Sequence, residues 1–427
     1  MIAIAYRLLM WSQLFILLMA YPLVAWLVVT YWPARRKVAV FALVNVLFSF
    51  LLLMAALVGD NHDIAAIAKV GEIAGLAFSG YLCFAIVQFL LLRSASTEPA
   101  WIATLFFPIL ILAVVKYIPA VRSAFSAELQ PLGVGEFSAL FLGISYMSFR
   151  LCLLSQQVRN DVVQMPSLSE FLAYAFFVPT LAVGPISPYR KFIQSWRNPD
   201  RLETPLGRSM LRVLVGLTKY FFFATILNQY TYDGLLFDGH PHRMIDLVLA
   251  VFSYTFYLYC NFSGFCDMAI GVSGLLGIAV MENFDRPFLA RNMQQFWNRW
   301  HISLSTLARD MMFTPLVKWL VRIFGPGSTN HAIAFSIFVV FIVIGIWHGF
   351  GVNYVFFGIS QGSALAVVHY YTLFIKRVLG RAGYLRYQQS KIIEWVARTC
   401  TFTYFSSSLF FLANSWDHMK KIASVIV

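Results

Sequence analysis

The sequence predicts an all-α fold, a polytopic membrane protein, on its composition and on the recurrence of long apolar stretches. Of 427 residues, 60% are hydrophobic and 12% charged, a balance that suits lipid rather than water as the solvent. Stretches of roughly 17 to 25 apolar residues, long enough to cross a bilayer as a helix, recur from near the N-terminus to the C-terminus. They leave no room for a large soluble domain, so one membrane-embedded domain over 1–427 is the simplest expectation.

In order, the spans fall near 11–32, 38–58, 72–92, 101–118, 137–153, 168–184, 210–231, 244–262, 264–281, 332–348, 353–373 and 399–413, about eleven or twelve segments. The first stretch, Met10 to Trp32, is too long for a signal-peptide core and has no small-residue cleavage site before Arg35-Arg36-Lys37, so it stays as a helix. Between the second and third spans, Gly59 to Asp63 is acidic.

Lys and Arg total 32 against 19 Asp and Glu, a net charge of +13. In a soluble protein that excess would point to nucleic acid. In this one, basic loops orient helices and meet anionic headgroups, so no nucleic-acid partner is expected. The basic residues gather at 35–37, 190–212, 286–322 and 376–398, and strict alternation of crossings cannot place all four groups on one side. At least one segment is therefore re-entrant or broken, the candidates being Pro179 to Pro188 and Asn261-Phe262-Ser263-Gly264. Broken backbone is tolerated at membrane depth where it is buried in protein or lines a wet cavity, which points to an internal funnel.

Arg291 to Arg309 differs from its neighbours. Met293, Phe296, Trp297, Trp300, Leu304 and Leu307 recur at helical spacing, while Arg291, Gln294, Asn298, His301 and Ser305 fall on another face. The pattern predicts an amphipathic helix at an interface or along a cavity, with His301 in its polar stripe.

Ionisable groups inside apolar segments are functional candidates. His348 closes an uncharged run in Ile344-Gly345-Ile346-Trp347-His348-Gly349. A neutral imidazole there suits a general base that takes the proton from a hydroxyl as its oxygen attacks a carbonyl. The plainer role is a helix-end histidine with Gly349 as the stop, and position alone gives that role the stronger claim. For His301 a merely wet face is stronger still, and Trp297, Arg299 and Trp300 read first as interface anchors. Asp267 is a costly intramembrane carboxylate, either a partner for an arginine or a group lining the cavity.

His62, His240, His242, His331, His369 and His418 lie in loops or isolated positions, and no metal site is expected. The five cysteines are scattered through apolar segments and read as buried packing residues. Walker, HExxH and dinucleotide glycine motifs are absent, which counts against ATP-driven transport.

Two motifs together resemble a known family. Phe296-Trp297-Asn298-Arg299-Trp300-His301-Ile302-Ser303-Leu304-Ser305, followed by Gly345-Ile346-Trp347-His348-Gly349, with 47 residues between the histidines, resembles the paired-histidine signature of the membrane-bound O-acyltransferases. Leu142 to Arg150, Pro179 to Pro185 and Glu282 to Phe288 are supporting matches. The resemblance covers about 142–372, and places an acyltransferase core at 136–375 between N-terminal helices (1–135) and a C-terminal helix (376–427).

In that family the second histidine is regarded as catalytic and the first as supporting, which carries over as His348 and His301. Asn298, Trp297, Arg299, Trp300, Ser305, Asp267 and Trp347 are the expected substrate-binding residues. The pattern is most similar to the branch that transfers D-alanine from a phosphopantetheine-loaded carrier protein toward teichoic acid. No bound cofactor is implied, and the donor is a thioester on an acyl carrier protein at the cytoplasmic face or, alternatively, acetyl-CoA. A departure is Gln361, before Gly362, where many relatives carry histidine. The implied setting is a bacterial cytoplasmic membrane, with lipids, a polymer acceptor and an extracytoplasmic or membrane partner. The rivals are exopolysaccharide O-acetylation and, in another class, a transporter or flippase of an envelope precursor.

Overall fold

The computed structural model describes residues 20–58, 64–118, 143–197, 205–349 and 351–426, together with 17 and 120. The start of the first expected span, the acidic stretch 59–63 with His62, and residues 137–142 lie outside the described residues. Helices carry the fold, and among the described residues there is no strand, only two isolated bridges. Among the described residues, six helices are long and apolar enough to cross a membrane: Arg36–Ala55, Ala68–Ser94, Glu98–Tyr117, Leu206–Leu236, Met244–Leu275 and Pro326–His348. The chain divides into two compact units, Met1–Leu214 with Asp267–Met281, and Val215–Cys266 with Glu282–Val427.

The first unit begins with α1 (Ala20–Tyr31), α2 (Ala34–Val58), α3 (Ile64–Ser94) and α4 (Glu98–Tyr117). They are followed by α5 (Ile144–Arg159), α6 (Leu168–Ala175), α7 (Tyr189–Arg197) and α8 (Leu206–Leu217). The expected span 168–184 is not one helix. It is the short α6, a single 3-10 turn at Val178–Thr180 and irregular chain as far as α7.

Fully buried Arg150 holds that break together. Its guanidinium donates to the carbonyls of Tyr174 and Ala175 at 3.1 and 2.9 Å and to Thr180 Oγ1 at 3.1 Å. The carbonyls that α6 leaves free at its C-terminus thus find donors, the condition for broken backbone in a dry interior. Tyr174 donates to the Ser187 carbonyl at 2.8 Å, and Asn45 Oδ1 accepts from Val178 N at 3.1 Å.

The second unit contains α9 (Ala224–Asn228), α10 (Tyr232–Leu236) and the start of α11 (Met244–Leu275). After α11 come α12 (Met293–Trp297), α13 (Ile302–Ala308), α14 (Thr314–Phe324), α15 (Thr329–His348), α16 (Val352–Gln389), α17 (Lys391–Ala413) and α18 (Trp416–Val425). The expected spans 353–373 and 399–413 lie within α16 and α17.

The break expected at Asn261 to Gly264 does not occur, because α11 is continuous through it. Gly264 serves close packing instead. A Cβ there would lie 2.9 Å from the Gly216 carbonyl oxygen and 3.0 Å from Tyr220 N, so only a hydrogen fits. At the chain end, His418 Nε2 meets Asp233 at 2.8 Å and His242 Nε2 meets Asp238 at 3.0 Å. The His418–Asp233 pair, with Ile422 against Tyr232 and Leu236, seats α18 on α10.

Candidate active site

The site lies in the second unit and is built on two helix ends. α15 and α16 form a hairpin in which glycines replace side chains at the contact. A Cβ on Gly345 would lie 2.3 Å from the Tyr354 carbonyl oxygen, and one on Gly358 would lie 2.5 Å from that of Phe341. His348 is the last residue of α15, half-buried, with its ring 4.7 Å from Trp347 and 5.8 Å, edge to face, from Phe357.

His301 is placed quite differently from the amphipathic helix expected over 291–309. That stretch is two short helices, α12 and α13, separated by a break at His301, whose backbone is left-handed at φ +46° and ψ 51°. The cause is the preceding segment. Asp285 N donates to the Arg299 carbonyl at 2.9 Å, Ile302 N to the Asn283 carbonyl at 3.0 Å, and Phe284 bridges Trp300 in antiparallel fashion. Pairing with 283–285 draws 299–302 out of the helix. His301 is only 5% exposed, so it does not sit on a wet stripe.

The His301 ring is held from two sides. Its Nδ1 is 3.2 Å from Asn283 Oδ1, and Phe262 packs edge to face on it at 4.7 Å. His301 lies outside the six spans, and burial pushes its pKa down to about 3, with a charged His348 adding repulsion. Burial, the larger cause, keeps His301 neutral at ordinary pH, and the smaller contribution shows that His348 lies within electrostatic reach of it.

A cavity of about 180 Å³ in the same unit is lined by Ser305, one turn after His301, and by Ile344, one turn before His348. Its apolar wall includes Ile337, Val340, Phe341 and Ile344, the last one turn before His348, and Trp297 closes one side. Gln294, Asn298, Ser305, Arg309 and His369 supply its polar lining. The lining suits a mostly apolar ligand with a few hydrogen-bonding groups.

Of the expected substrate-binding residues, Trp297, Asn298 and Ser305 line this cavity, and the Trp347 ring lies tilted by 54° beside that of His348. Trp297 Nε1 donates to Gln361 Oε1 at 3.2 Å, and Gln361 Nε2 donates to Ser408 Oγ at 2.6 Å. Gln361, the departure noted in the sequence, thus fixes the indole. Trp300 is neither anchor nor cavity wall: it is buried against Phe284, Phe296 and Phe405 at 5.0 to 5.6 Å. Arg299 is half-buried and contributes its carbonyl to the pairing described above. Asp267 belongs to the first unit and is paired with Arg212 at 3.0 Å, the structural alternative foreseen for it.

Asn283 and Ser303 were not singled out from the sequence, although Asn283 falls within the Glu282 to Phe288 match. A polar residue between acidic and aromatic neighbours carries no period that marks it as buried. His369, expected to be an isolated histidine, lines the cavity.

A buried histidine and a half-buried one in the same unit as a largely apolar cavity, in an all-α membrane fold, fit a membrane acyltransferase. The profile of MBOAT, the membrane-bound O-acyltransferase family, matches residues 73–413, and the chain belongs to that family. It is a multi-pass membrane-bound O-acyltransferase, and the transporter alternative falls away.

Among named relatives, it is 27% identical to the teichoic acid D-alanyltransferase of Bacillus subtilis (strain 168), over 78% of this chain and 82% of that one. It is 35% identical to the teichoic acid D-alanyltransferase of Streptococcus thermophilus, over 56% of this chain and 60% of that one. A probable alginate O-acetylase of Pseudomonas syringae pv. tomato is 29% identical, over 60% of this chain and 49% of the relative.

Proposed function

We propose that the protein transfers a D-alanyl group from a thioester on an acyl carrier protein at the cytoplasmic face to hydroxyl groups of a teichoic-acid-type polymer, at a bacterial cytoplasmic membrane. His348 removes the hydroxyl proton as that oxygen attacks the thioester carbonyl. The C–S bond then breaks, the thiolate leaves and is protonated, and the new bond is an ester. The developing oxyanion needs donors held in place beforehand, for which Asn298 and neighbouring backbone N–H groups are the candidates. His301, neutral and buried, supports His348.

The observation that carries this reading is the cavity whose apolar wall includes Ile344, one turn before His348, with polar groups along it. A pantetheine-like arm has that pattern: an extended chain with two amides. The D-alanyltransferase relative matched over 82% of its length favours D-alanine over acetate. The basic segments would speed the encounter with an acidic carrier protein, since charge complementarity acts mainly on association.

Purified protein in vesicles, offered labelled D-alanyl-carrier and labelled acetyl-CoA in parallel with a polyglycerol-phosphate acceptor, tests the donor. Ester-linked label from the carrier alone is expected. Label from acetyl-CoA alone would replace the reading with O-acetylation, the activity that the alginate O-acetylase relatives favour.

A further inference from the structure

We propose that Asn283 is a positioning residue that fixes the tautomer of His301, keeping the proton on Nδ1 and the lone pair on Nε2. The inference rests on the reading that His301 takes part in acyl transfer. Asn283 is fully buried, and its Oδ1 is the centre of three contacts: His301 Nδ1 at 3.2 Å, Ser303 N at 3.1 Å and Ser303 Oγ at 2.9 Å.

The backbone N–H of Ser303 can only donate, so the amide atom it faces is the oxygen. That settles the orientation of the Asn283 side chain without reference to the histidine, and Nδ2 is left to donate to Cys266 Sγ at 3.2 Å. An amide oxygen can only accept. The imidazole nitrogen facing it therefore carries a hydrogen, and in a neutral ring the other nitrogen is the base.

The same residue also holds the strained backbone. His301 stands in the left-handed region, which is strained for a residue other than glycine. The Asn283 carbonyl accepts from Ile302 N at 3.0 Å, directly after the strained residue. Asn283 thus fixes both the place of the ring and the identity of its basic nitrogen. Among the described residues, the titratable groups around this arrangement are His348 from α15 and Cys266 from α11, with the Phe262 ring of α11 against the imidazole.

The test uses full-length enzyme in vesicles and three variants: Asn283→Ala, Asn283→Asp and His301→Ala. Asparagine to alanine removes the acceptor and is expected to lower kcat by about tenfold or more with KM little changed. Asparagine to aspartate keeps an acceptor in the same place and should hold kcat within about threefold. Its added negative charge favours protonated His301, moving the acid limb of the pH profile upward by about one unit or more.

Nitrogen-15 NMR of histidine-labelled protein should show His301 protonated on Nδ1 in the wild type and not in Asn283→Ala. A wild type protonated on Nε2, or an aspartate variant with an unmoved acid limb, would overturn the proposal even if the alanine variant fails to fold. Full transfer by His301→Ala would instead defeat the underlying reading, while the NMR result still judges Asn283.

Discussion

At the scale of single residues, the two histidines owe their environments to different causes. His348 ends an apolar helix, whereas His301 sits on a backbone break and is covered by Phe262 and Asn283. Burial holds the His301 pKa at about 3 against 6.5 for a free side chain. Between those values the folded protein binds fewer protons than the unfolded chain. The stabilisation is therefore fully present above about pH 6.5 and is lost as pH falls toward 3. Thermal unfolding in detergent should show Tm falling more steeply from pH 6.5 to 4 in the wild type than in His301→Phe, and equal slopes would refute the assignment. The histidines themselves were legible in the sequence because they stand in two motifs at a fixed spacing. Asn283 was not, because its role depends on a contact across 18 residues that forms only when the chain leaves the helix at His301.

At the scale of elements, helical character and apolar length were read correctly for the long segments, since composition over a window decides them. The misreadings came where tertiary contacts overrode local pattern. Gly264 looked like a break and is a packing surface inside α11, while 291–309 looked like one helix and is split by pairing with 283–285. Proline and glycine between 179 and 188 did mark a true interruption, which Arg150 holds from inside. The α15–α16 hairpin depends on glycine in the other sense. Replacing Gly358 by valine places a side chain against the Phe341 carbonyl and Ile342 Cα, so the helices must separate and carry His348 with them. Overpacking of this kind typically costs about 1–3 kcal/mol. The Gly358→Val variant should show a lower Tm and lose transfer, whereas Gly327→Ala, with open space around it, should change neither.

At the scale of the whole molecule, the six apolar helices among the described residues and a family match over residues 73–413 make the chain a multi-pass O-acyltransferase, and its charge of +13 suits an anionic membrane surface. Each compact unit has its own buried polar centre: Arg150 and the broken chain it caps in one, and the histidine pair with Asn283 in the other. The proposed chemistry lies in the second, with His348 proposed as base. The direct measurement is single-turnover transfer of labelled D-alanine from the loaded carrier protein to a hydroxyl acceptor in vesicles, comparing wild type with His348→Ala at equal folded protein. Loss of general-base catalysis predicts a fall of about 10²-fold or more in the transfer rate, with carrier binding retained. Transfer by His348→Ala at the wild-type rate would contradict the account.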